Sequence, residues 1–566
     1  MFKKLPYGQS NFAAMIEGGY AYVDKTRFVE LLENENNTYQ FFIRPRRFGK
    51  SLFLSVLENY YDLSRKDKFD ILFGNLYIGK NPTPERGTYA VFRFDFSGLD
   101  TENHEEFRRS FSSRVQENVN MFFDRYCNIF VNASEQLKSI KEQNPGIGAL
   151  DFAYRAAAGA NVPIFVIIDE YDHFANNLVA MGKTYIDEVR AGGIVRAFYE
   201  SLKKGTSTVV RRIFITGITP MMMTDLTSGF NMSADYSLWE KYNEMFGFTS
   251  KEIEWLMLET GVDRKLIEID MEAYYNGYMF NEEGQNKVYN SQMILFLFNQ
   301  ILSTGKQPKH IVDTNLRTDY GRLRRLAEHE KNREKLLKIA VDGKVAANLV
   351  EKFSLDELQN ESYFVSLLFY LGMLTIGETV EEQAYLKIPN YSIQTLYWEY
   401  IVAYTQSAQE WQANTTEEFF TLVREMAFRE DIKPFLDYFV ENFLKRLSNR
   451  DLINFDEKYI KAMLLSTLFL SGFYLPVSEN EVTEGYTDIY LQKHPAKPTI
   501  KYEYVLEVKY VKTDAAETEV EAKFAEARTQ IEKYKKDARF ADRDDVKFVA
   551  VVFKGKGDVE VRAADF

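Results

Sequence analysis

The segment that most constrains the fold of this chain is a short basic loop between an apolar strand and a helix. Residues 38–43 predict a strand, residues 51–61 predict an amphipathic helix, and residues 43–51 between them read IRPRRFGKS. In such a loop, backbone N–H groups and the helix N-terminus hold phosphates, the lysine reaches the β- and γ-oxygens, and the serine hydroxyl binds Mg²⁺. The residues predicted to contact a nucleotide are Arg46, Arg47, Gly49, Lys50 and Ser51.

Arg44 departs from the usual form of this loop, in which a glycine holds the first position. The pattern alone therefore leaves an alternative, a basic loop that contains Gly-Lys-Ser by accident. Residues 164–168 favour the nucleotide site, because they predict an apolar strand that ends in Asp169 and Glu170. Such a buried acidic pair is costly unless it binds something. We expect Asp169 to act on Mg²⁺ and Glu170 to polarise the attacking water, with a plain strand-to-turn boundary as the alternative.

Two further strands extend this half of the chain. Residues 89–96 predict a strand between the two motifs, which is the arrangement of AAA-like P-loop ATPases. Residues 213–216 predict another, and Thr216 at its end either senses the γ-phosphate or is a satisfied strand-end threonine. Arg211 and Arg212 are candidates for arginine fingers. Because buried strands alternate with helices, we predict a parallel α/β sheet.

The last part of the chain carries a second group of polar residues on predicted strands. From about residue 452 the pattern predicts a compact α-β-β-β-α-β unit. Asp488 lies on one predicted strand, and Glu507 and Lys509 lie at i and i+2 on the next, so they share a face. The two carboxylates are hard ligands for Mg²⁺ or Mn²⁺, which activates water and stabilises charge on a scissile phosphate. A solvated hairpin face with Lys509 paired to Glu507 is the alternative.

Three flanking residues are candidates for the same site. Glu479 ends the preceding strand and is a candidate for an additional metal or water contact. Gln530 and Tyr534 lie four residues apart on the following helix, so both can face the site.

Composition limits the classes of function. A net charge of -13 argues against indiscriminate binding of nucleic acid, so any such contact comes from local patches. Cys127 has no partner for an intramolecular disulfide, which fits a reducing cytoplasm, and its aromatic neighbours predict a buried side chain. The pattern predicts neither a signal peptide nor a membrane span.

These motifs together resemble a bacterial family that pairs an N-terminal AAA-ATPase-like domain with a C-terminal PD-(D/E)XK nuclease-like domain. The resemblance covers nearly the whole chain, and the family's own loop reads RPRRFGKS, as residues 44–51 do here. Further matches are LPYG at 5–8, YVDKT at 22–26, IDEYD at 168–172, TGI at 216–218, FGFT at 246–249, YNGY at 275–278, YN at 289–290 and SE at 478–479. The chain departs from the family at His173, where lysine is common, and ahead of Asp488, where Gly-Arg is common.

The resemblance implies roles for residues in both halves of the chain. Lys50, Ser51, Asp169 and Glu170 correspond to the nucleotide and Mg²⁺ positions. The nuclease positions correspond to Asp488, Glu507 and Lys509, of which the two acidic residues are metal ligands.

We therefore predict an α/β protein in three parts. They are an AAA-like P-loop ATPase domain over 1–235, a helical middle region over 236–451, and a restriction-endonuclease-like α/β domain over 452–566. The predicted function is ATP-controlled, Mg²⁺- or Mn²⁺-dependent cleavage of nucleic acid, with DNA favoured over RNA and with room for a homo-oligomer. One alternative is an ATP-dependent switch whose nuclease fold only binds nucleic acid or a protein. Another is a scaffold with neither activity.

Overall fold

The chain forms two compact units. The computed structural model describes residues 2–100, 103–131, 146–173, 188, 192–220, 232–308, 311–313, 330–352, 361–408, 415–445, 456–482, 485–494, 497 and 499–563. The first unit comprises Met1–Asp313 and Ala346–Pro389, and the second comprises Thr314–Val345 and Asn390–Phe566.

A parallel sheet forms the centre of the first unit. Its strands are β1 (Tyr39–Ile43), β2 (Ala90–Asp95), β3 (Ile164–Asp169), β4 (Val210–Gly217) and β5 (Ala234–Asp235). They lie in the order β2-β3-β4-β1-β5, and each pair of neighbours is parallel. Strand β3 is buried along its whole length, as expected where helices cover both faces of a sheet.

Helices alternate with these strands along the chain. In the first half they are α1 (Phe12–Glu17), α2 (Arg27–Glu33), α3 (Lys50–Tyr61), α4 (Phe69–Phe73), α5 (Tyr77–Lys80), α6 (His104–Arg125), α7 (Ile147–Gly159) and α8 (Ile194–Thr206). They are followed by α9 (Ser250–Thr260), α10 (Met271–Tyr275) and α11 (Ser291–Thr304). Short 3₁₀ segments occur at Leu63–Lys68, Glu240–Tyr242 and Arg264–Leu266.

The middle of the chain contains both helices and strands. Its elements are α12 (Glu330–Asp342), β6 (Lys344–Ala346), α13 (Glu361–Tyr370), β7 (Thr375–Val380), β8 (Gln383–Lys387), α14 (Tyr391–Ala408), α15 (Thr415–Arg429), α16 (Lys433–Phe439) and a π-helical turn at Val440–Leu444. The antiparallel β7–β8 hairpin was not predicted, because the residues of both strands are mostly exposed or half-buried and form no continuous apolar run.

A mixed sheet forms the centre of the second unit. It follows α17 (Glu457–Leu470) and comprises β9 (Tyr474–Val482), β10 (Gly485–Lys493), β11 (Glu503–Val511), β12 (Val546–Lys554) and β13 (Asp558–Ala563), with α18 (Glu517–Tyr534) between β11 and β12. The strand order is β13-β12-β11-β10-β9, in which only the central pair β11–β12 is parallel. Helix α18 packs apolar side chains such as Phe524 and Ile531 onto this sheet.

The predicted fold class is confirmed: a parallel α/β sheet in the first unit and an α-β-β-β-α-β arrangement near the C-terminus. The additional strand β13 was not predicted, because its residues are mostly half-exposed. The predicted boundaries at 235 and 451 stay predictions. Residues 322–338 mix both charges densely in the sequence; residues 322–329 lie outside the described residues, and α12 covers the remainder.

The prediction for Cys127 is wrong, because its side chain is exposed. Helix α6 ends at Arg125, and the buried positions around that end are taken by Phe122, Phe123 and Tyr126. Within the part of the chain that the structure describes, every helix is either too short or too polar to span a bilayer.

Candidate functional site

The basic loop after β1 closes around the side chain of Lys50. Gly49 has a φ of 93°, in the left-handed region that glycine adopts without strain, and Lys50 is the first residue of α3. The Lys50 ammonium donates to the carbonyl oxygens of Arg44 at 2.8 Å and Pro45 at 2.9 Å. Burial lowers the pKa of Lys50 to about 8, although the carboxylates of Asp169 and Glu170 act in the opposite direction. The loop therefore holds a cation at a helix N-terminus, which is where phosphates bind.

The carboxyl ends of β3 and β4 bring polar groups to this loop. Asp169 is buried, and its Oδ1 accepts a hydrogen bond from the hydroxyl of Thr216 at 2.9 Å. Ser51 also hydrogen-bonds the Asp169 carboxylate, and burial raises the pKa of Asp169. The structure thus brings together Lys50, Ser51, Asp169 and Thr216. In this arrangement the Thr216 hydroxyl donates its hydrogen bond to Asp169.

Glu170 lies beside this cluster in an unusual backbone conformation. Its φ is 49°, a region that costs free energy for a residue other than glycine. The side chain is part-exposed, and Oε2 lies 2.7 Å from Nδ1 of His173. Hydrogen bonding from His173 lowers the pKa of Glu170, so the carboxylate is ionised at neutral pH. A charged carboxylate at this edge is suited to polarise a water molecule.

Arg44, the residue that replaces the usual glycine, is an anchor for the loop. Its side chain is buried and donates to the carbonyl oxygens of Ser237 at 2.6 Å and Tyr242 at 3.0 Å. The guanidinium also lies 4.1 Å from the ring centroid of Phe280. Arg44 therefore ties the loop to residues 237–280.

Replacing Arg44 by methionine is expected to lower the free energy of unfolding of the full chain by about 2–4 kcal/mol, because two buried carbonyl oxygens lose a charged donor. Lysine at this position is expected to restore only part of the loss, since an ammonium lacks the planar fork that reaches both oxygens. Urea denaturation of the three proteins measures this. A loss below about 0.5 kcal/mol for the methionine variant would contradict the anchoring role.

Residues 243–292 hold the same loop through further contacts that the sequence did not reveal. The Gly247 N–H donates to the carbonyl oxygen of Phe48 at 2.9 Å, and the Asn290 side chain donates to that of Arg46 at 3.3 Å. The Phe48 ring packs edge-on against Tyr278 at 4.9 Å. Three of the family-like motifs, at 246–249, 275–278 and 289–290, thus contain residues that support the loop.

The four other arginines that the sequence singled out lie in two separate parts of the first unit. Arg46 and Arg47 lie in the loop and are half-buried, and Nη1 of Arg47 lies 3.9 Å from Oδ2 of Asp313. Arg211 and Arg212 lie at the amino end of β4, opposite the end that carries Thr216. Arg212 is buried and ion-paired with Glu85. The structure does not bring Arg211 or Arg212 to the Lys50 cluster of their own chain.

Asp172 is a buried residue of this edge to which the sequence assigned no role. Its carboxylate accepts the N–H groups of Ile218 and Thr219 and the hydroxyl of Thr219. It therefore fixes the chain where it leaves β4. A Cβ on Gly217 would lie 2.4 Å from the Tyr171 ring and 2.6 Å from Asp172 Oδ1, so this approach requires glycine.

A second cluster lies at the centre of the mixed sheet. Ile489 pairs with Leu506 across β10 and β11, so Asp488 and Glu507, one residue further on, face each other. The Lys509 ammonium lies 2.7 Å from Glu507 Oε1 and 3.7 Å from Asp488 Oδ2. Asp488 Oδ2 also accepts the Val508 N–H at 2.9 Å. The structure therefore brings the three predicted residues together in a largely buried site.

Of the three flanking candidates, Tyr534 reaches the cluster. Its hydroxyl lies 2.9 Å from Glu507 Oε2 and 2.7 Å from the carbonyl oxygen of Tyr486. Gln530 is half-buried one turn earlier on α18, and the described contacts of the cluster do not include it. The side chain of Glu479 lies outside the described residues.

Lys461 is a member of this cluster that sequence reasoning missed. It lies on α17 and donates to Asp488 Oδ1 at 2.6 Å. Its side chain is only 6% exposed. Its apolar neighbours Ile460 and Ala462 were only a weak signal, because Glu457 and Lys458 on the same helix are also charged.

Comparison with known proteins gives matches over both units. A protein described as "Uncharacterized protein in vnfD 5'region", from Azotobacter chroococcum mcd 1, is 28% identical over 417 residues, which is 69% of this chain and 68% of that protein. A Walker-type ATPase of Pyrococcus abyssi is similar with a TM-score of 0.37 and 13% identity, over 66% of this chain and 94% of that one. The Aeropyrum pernix ORC1 protein in complex with DNA has a TM-score of 0.27 and 11% identity, over 70% and 94%.

Two family models match separate segments of the chain. Residues 6–227 match the model described as predicted AAA-ATPase, and residues 455–562 match that of the PD-(D/E)XK nuclease superfamily. The first of these segments is therefore similar to predicted AAA-ATPases, and the second is similar to the PD-(D/E)XK nuclease superfamily. The resemblance inferred from the motifs is confirmed. The Lys50 cluster lies in the AAA-ATPase segment and the Asp488 cluster in the nuclease-superfamily domain.

The nuclease-superfamily cluster predicts a specific pH dependence of stability. Burial raises the pKa of Glu507 from 4.5 to about 7, and the nearby charge of Asp488 adds to the rise. A raised carboxyl pKa favours the folded state at low pH, so this contribution declines as pH rises from about 4.5 through 7.

In the presence of chelator, the free energy of unfolding of the wild type is therefore expected to fall between pH 5 and pH 8. This fall should exceed that of Glu507→Gln by roughly 2–3 kcal/mol. Urea denaturation of both proteins across this range is the measurement. Parallel curves would contradict the raised pKa.

Proposed function

We propose that this protein binds and hydrolyses ATP and that the nucleotide controls a metal-dependent cleavage of nucleic acid, with DNA preferred to RNA. The observation that carries the proposal is the convergence of Asp488, Glu507 and Lys509 in one buried cluster. Lys509 contacts both carboxylates, at 3.7 Å and 2.7 Å. The match of residues 455–562 to the nuclease superfamily supports the same assignment.

The donor set of this cluster suits a divalent cation. Mg²⁺ is commonly bound through one or two carboxylates together with water and substrate phosphates, and Asp488 and Glu507 provide two. Both are buried on facing strands, where a carboxylate is costly unless a cation accompanies it, and the neighbouring lysines Lys461 and Lys509 supply positive charge there. When bound there, the cation would supply an activated water and charge stabilisation at the scissile phosphate.

The protein groups around this position have separable roles. Asp488 is fixed by the Val508 N–H, and Glu507 is fixed by Tyr534, so both carboxylates are oriented in advance. Lys509 shares a strand face with Glu507, from which its ammonium can orient water and offset phosphate charge.

The AAA-ATPase segment offers the parts that phosphoryl transfer needs. Lys50 and the backbone of its loop face the position of the phosphates, and Ser51 and Asp169 are hydrogen-bonded to each other where Mg²⁺ would be held. Glu170 and Thr216 flank the place of the attacking water. ATP would also have to draw the Lys50 ammonium away from the carbonyl oxygens of its own loop.

A second candidate function is an ATP-dependent switch whose nuclease-like domain only binds nucleic acid or a protein. One observation favours it: Asp488 and Glu507 already accept hydrogen bonds or ion pairs on each of their four carboxylate oxygens. Among the described residues, no cluster of three or more His, Cys, Asp or Glu side chains is placed to hold a metal ion.

One experiment separates the two candidates. The full chain is incubated with Mg²⁺ or Mn²⁺ and with labelled duplex DNA, single-stranded DNA or RNA, in parallel with Asp488→Asn. The proposal predicts cleavage that chelator abolishes and that the variant lacks, with DNA cut faster than RNA. Binding without cleavage would favour the switch. Equal cleavage by the variant would contradict the assignment of the site.

A further inference from the structure

A buried lysine occupies the one Asp488 oxygen that the backbone leaves available. Oδ2 of Asp488 accepts the Val508 N–H and faces Lys509. Oδ1 receives the ammonium of Lys461 at 2.6 Å. Lys461 comes from α17, outside the β10–β11 pair that carries the three predicted residues, so it is an independent element of the site.

Two ammonium groups already lie beside the carboxyl groups of this cluster. Lys461 is paired with Asp488, and Lys509 is paired with Glu507. Because these side chains are largely buried, a divalent cation added to this set would repel both ammonium groups strongly. A cation bound to Asp488 Oδ1 would also occupy the position that the Lys461 ammonium holds, since oxygen–metal distances are about 2.0–2.6 Å.

The helix provides Lys461 with a second partner. Glu457 lies one turn earlier on α17, and its Oε1 is 3.1 Å from the Lys461 ammonium. The Glu457 side chain is 34% exposed, so it lies at the rim of the site rather than within it. An ammonium that leaves Asp488 therefore remains paired by a shift toward Glu457, without being transferred unpaired into the protein interior.

We propose that Lys461 is a built-in counter-ion of Asp488 that a divalent cation must displace, with Glu457 receiving the displaced ammonium. Lys461 is then a positioning residue: it keeps the site folded and charge-balanced in the absence of metal, and it sets the metal concentration at which the site fills. This inference rests on the proposed metal site at Asp488 and Glu507.

Calorimetric titration of the nucleotide-free full chain with Mn²⁺ tests the proposal. Asp488→Asn provides the baseline, because subtracting its signal removes binding elsewhere, including at Asp169. Lys461→Met is expected to tighten the Asp488-dependent Mn²⁺ affinity at least about tenfold, because the competing cation is gone. Glu457→Gln is expected to weaken it about threefold, because the displaced ammonium loses its second partner.

Thermal unfolding gives a readout that is independent of both activity and calorimetry. Without metal, Lys461→Met is expected to melt below wild type, and saturating Mn²⁺ is expected to raise its melting temperature by more than that of wild type. Lys461→Arg retains the competing charge and serves as a second variant, with an affinity expected to stay near that of wild type.

The outcomes distinguish this inference from the proposed function. Asp488-dependent Mn²⁺ binding that is equal or weaker in Lys461→Met would overturn the counter-ion role and leave the metal site standing. An absence of Asp488-dependent binding in both wild type and Lys461→Met would overturn the metal site and the inference together.

Discussion

Replacing Lys509 by methionine is expected to slow single-turnover cleavage of DNA by about 10²–10³-fold at saturating Mn²⁺, which is the usual cost of removing one charge-stabilising group from an active site. The ammonium lies between Glu507 and Asp488, at 2.7 Å and 3.7 Å from their oxygens, whereas the ammonium of Lys461 is paired with the other oxygen of Asp488. Quench-flow or gel assays with end-labelled duplex measure the rate directly.

Two controls make this result interpretable. Lys512→Met removes an exposed lysine just past the end of β11 and is expected to leave the rate unchanged. Lys509→Arg preserves the positive charge but replaces the compact ammonium with a planar guanidinium. A cleavage rate between those of wild type and Lys509→Met is therefore expected. Wild-type cleavage by Lys509→Met would remove Lys509 from the active site. A loss that is matched by Lys512→Met would point to a nonspecific effect of charge on DNA binding.

The second large effect is expected on ATP turnover, at the cluster around Lys50. Lys50→Met should reduce ATP turnover by at least about 10²-fold, because this ammonium is the group that neutralises charge on the transferring phosphoryl group. The Lys50 ammonium also donates to two loop carbonyl oxygens, so the variant should also lose about 1–3 kcal/mol of stability, which urea denaturation measures.

A variant that keeps the loop folded but weakens ATP turnover separates the catalytic role of this site from its contribution to stability. Ser51→Ala removes only the hydroxyl that meets Asp169, and it is expected to weaken Mg²⁺-dependent turnover while the loop remains intact. Lys80→Met on α5 removes an exposed lysine of the same unit and serves as the matched control. Equal phosphate release by wild type and Lys50→Met would contradict the nucleotide site.

Much of this architecture follows from local sequence patterns. Strands β1 and β3 are short and mostly apolar, and each ends at the polar residues that form the site, so both position and chemistry were predictable. Asp488, Glu507 and Lys509 were predictable because alternation along a strand fixes which side chains share a face.

The supports of the two sites were not predictable, because they come from distant parts of the chain. Arg44 is held by carbonyl oxygens 193 and 198 residues further on, and no local pattern encodes such a contact. Lys461 looks like an ordinary helical lysine until the fold places it 2.6 Å from Asp488. Gln530 and Tyr534 share a helix face, but only packing decided that Tyr534 meets Glu507.

The central claim, that ATP controls the nuclease-like site, is tested most directly by one rate measurement. Single-turnover cleavage of duplex DNA is followed with and without ATP in wild type and in Lys50→Met. We predict that ATP changes the wild-type rate at least about fivefold and leaves the variant's rate unchanged. A wild-type rate that is identical with and without ATP, in protein that still hydrolyses ATP, would show two independent modules and contradict this account.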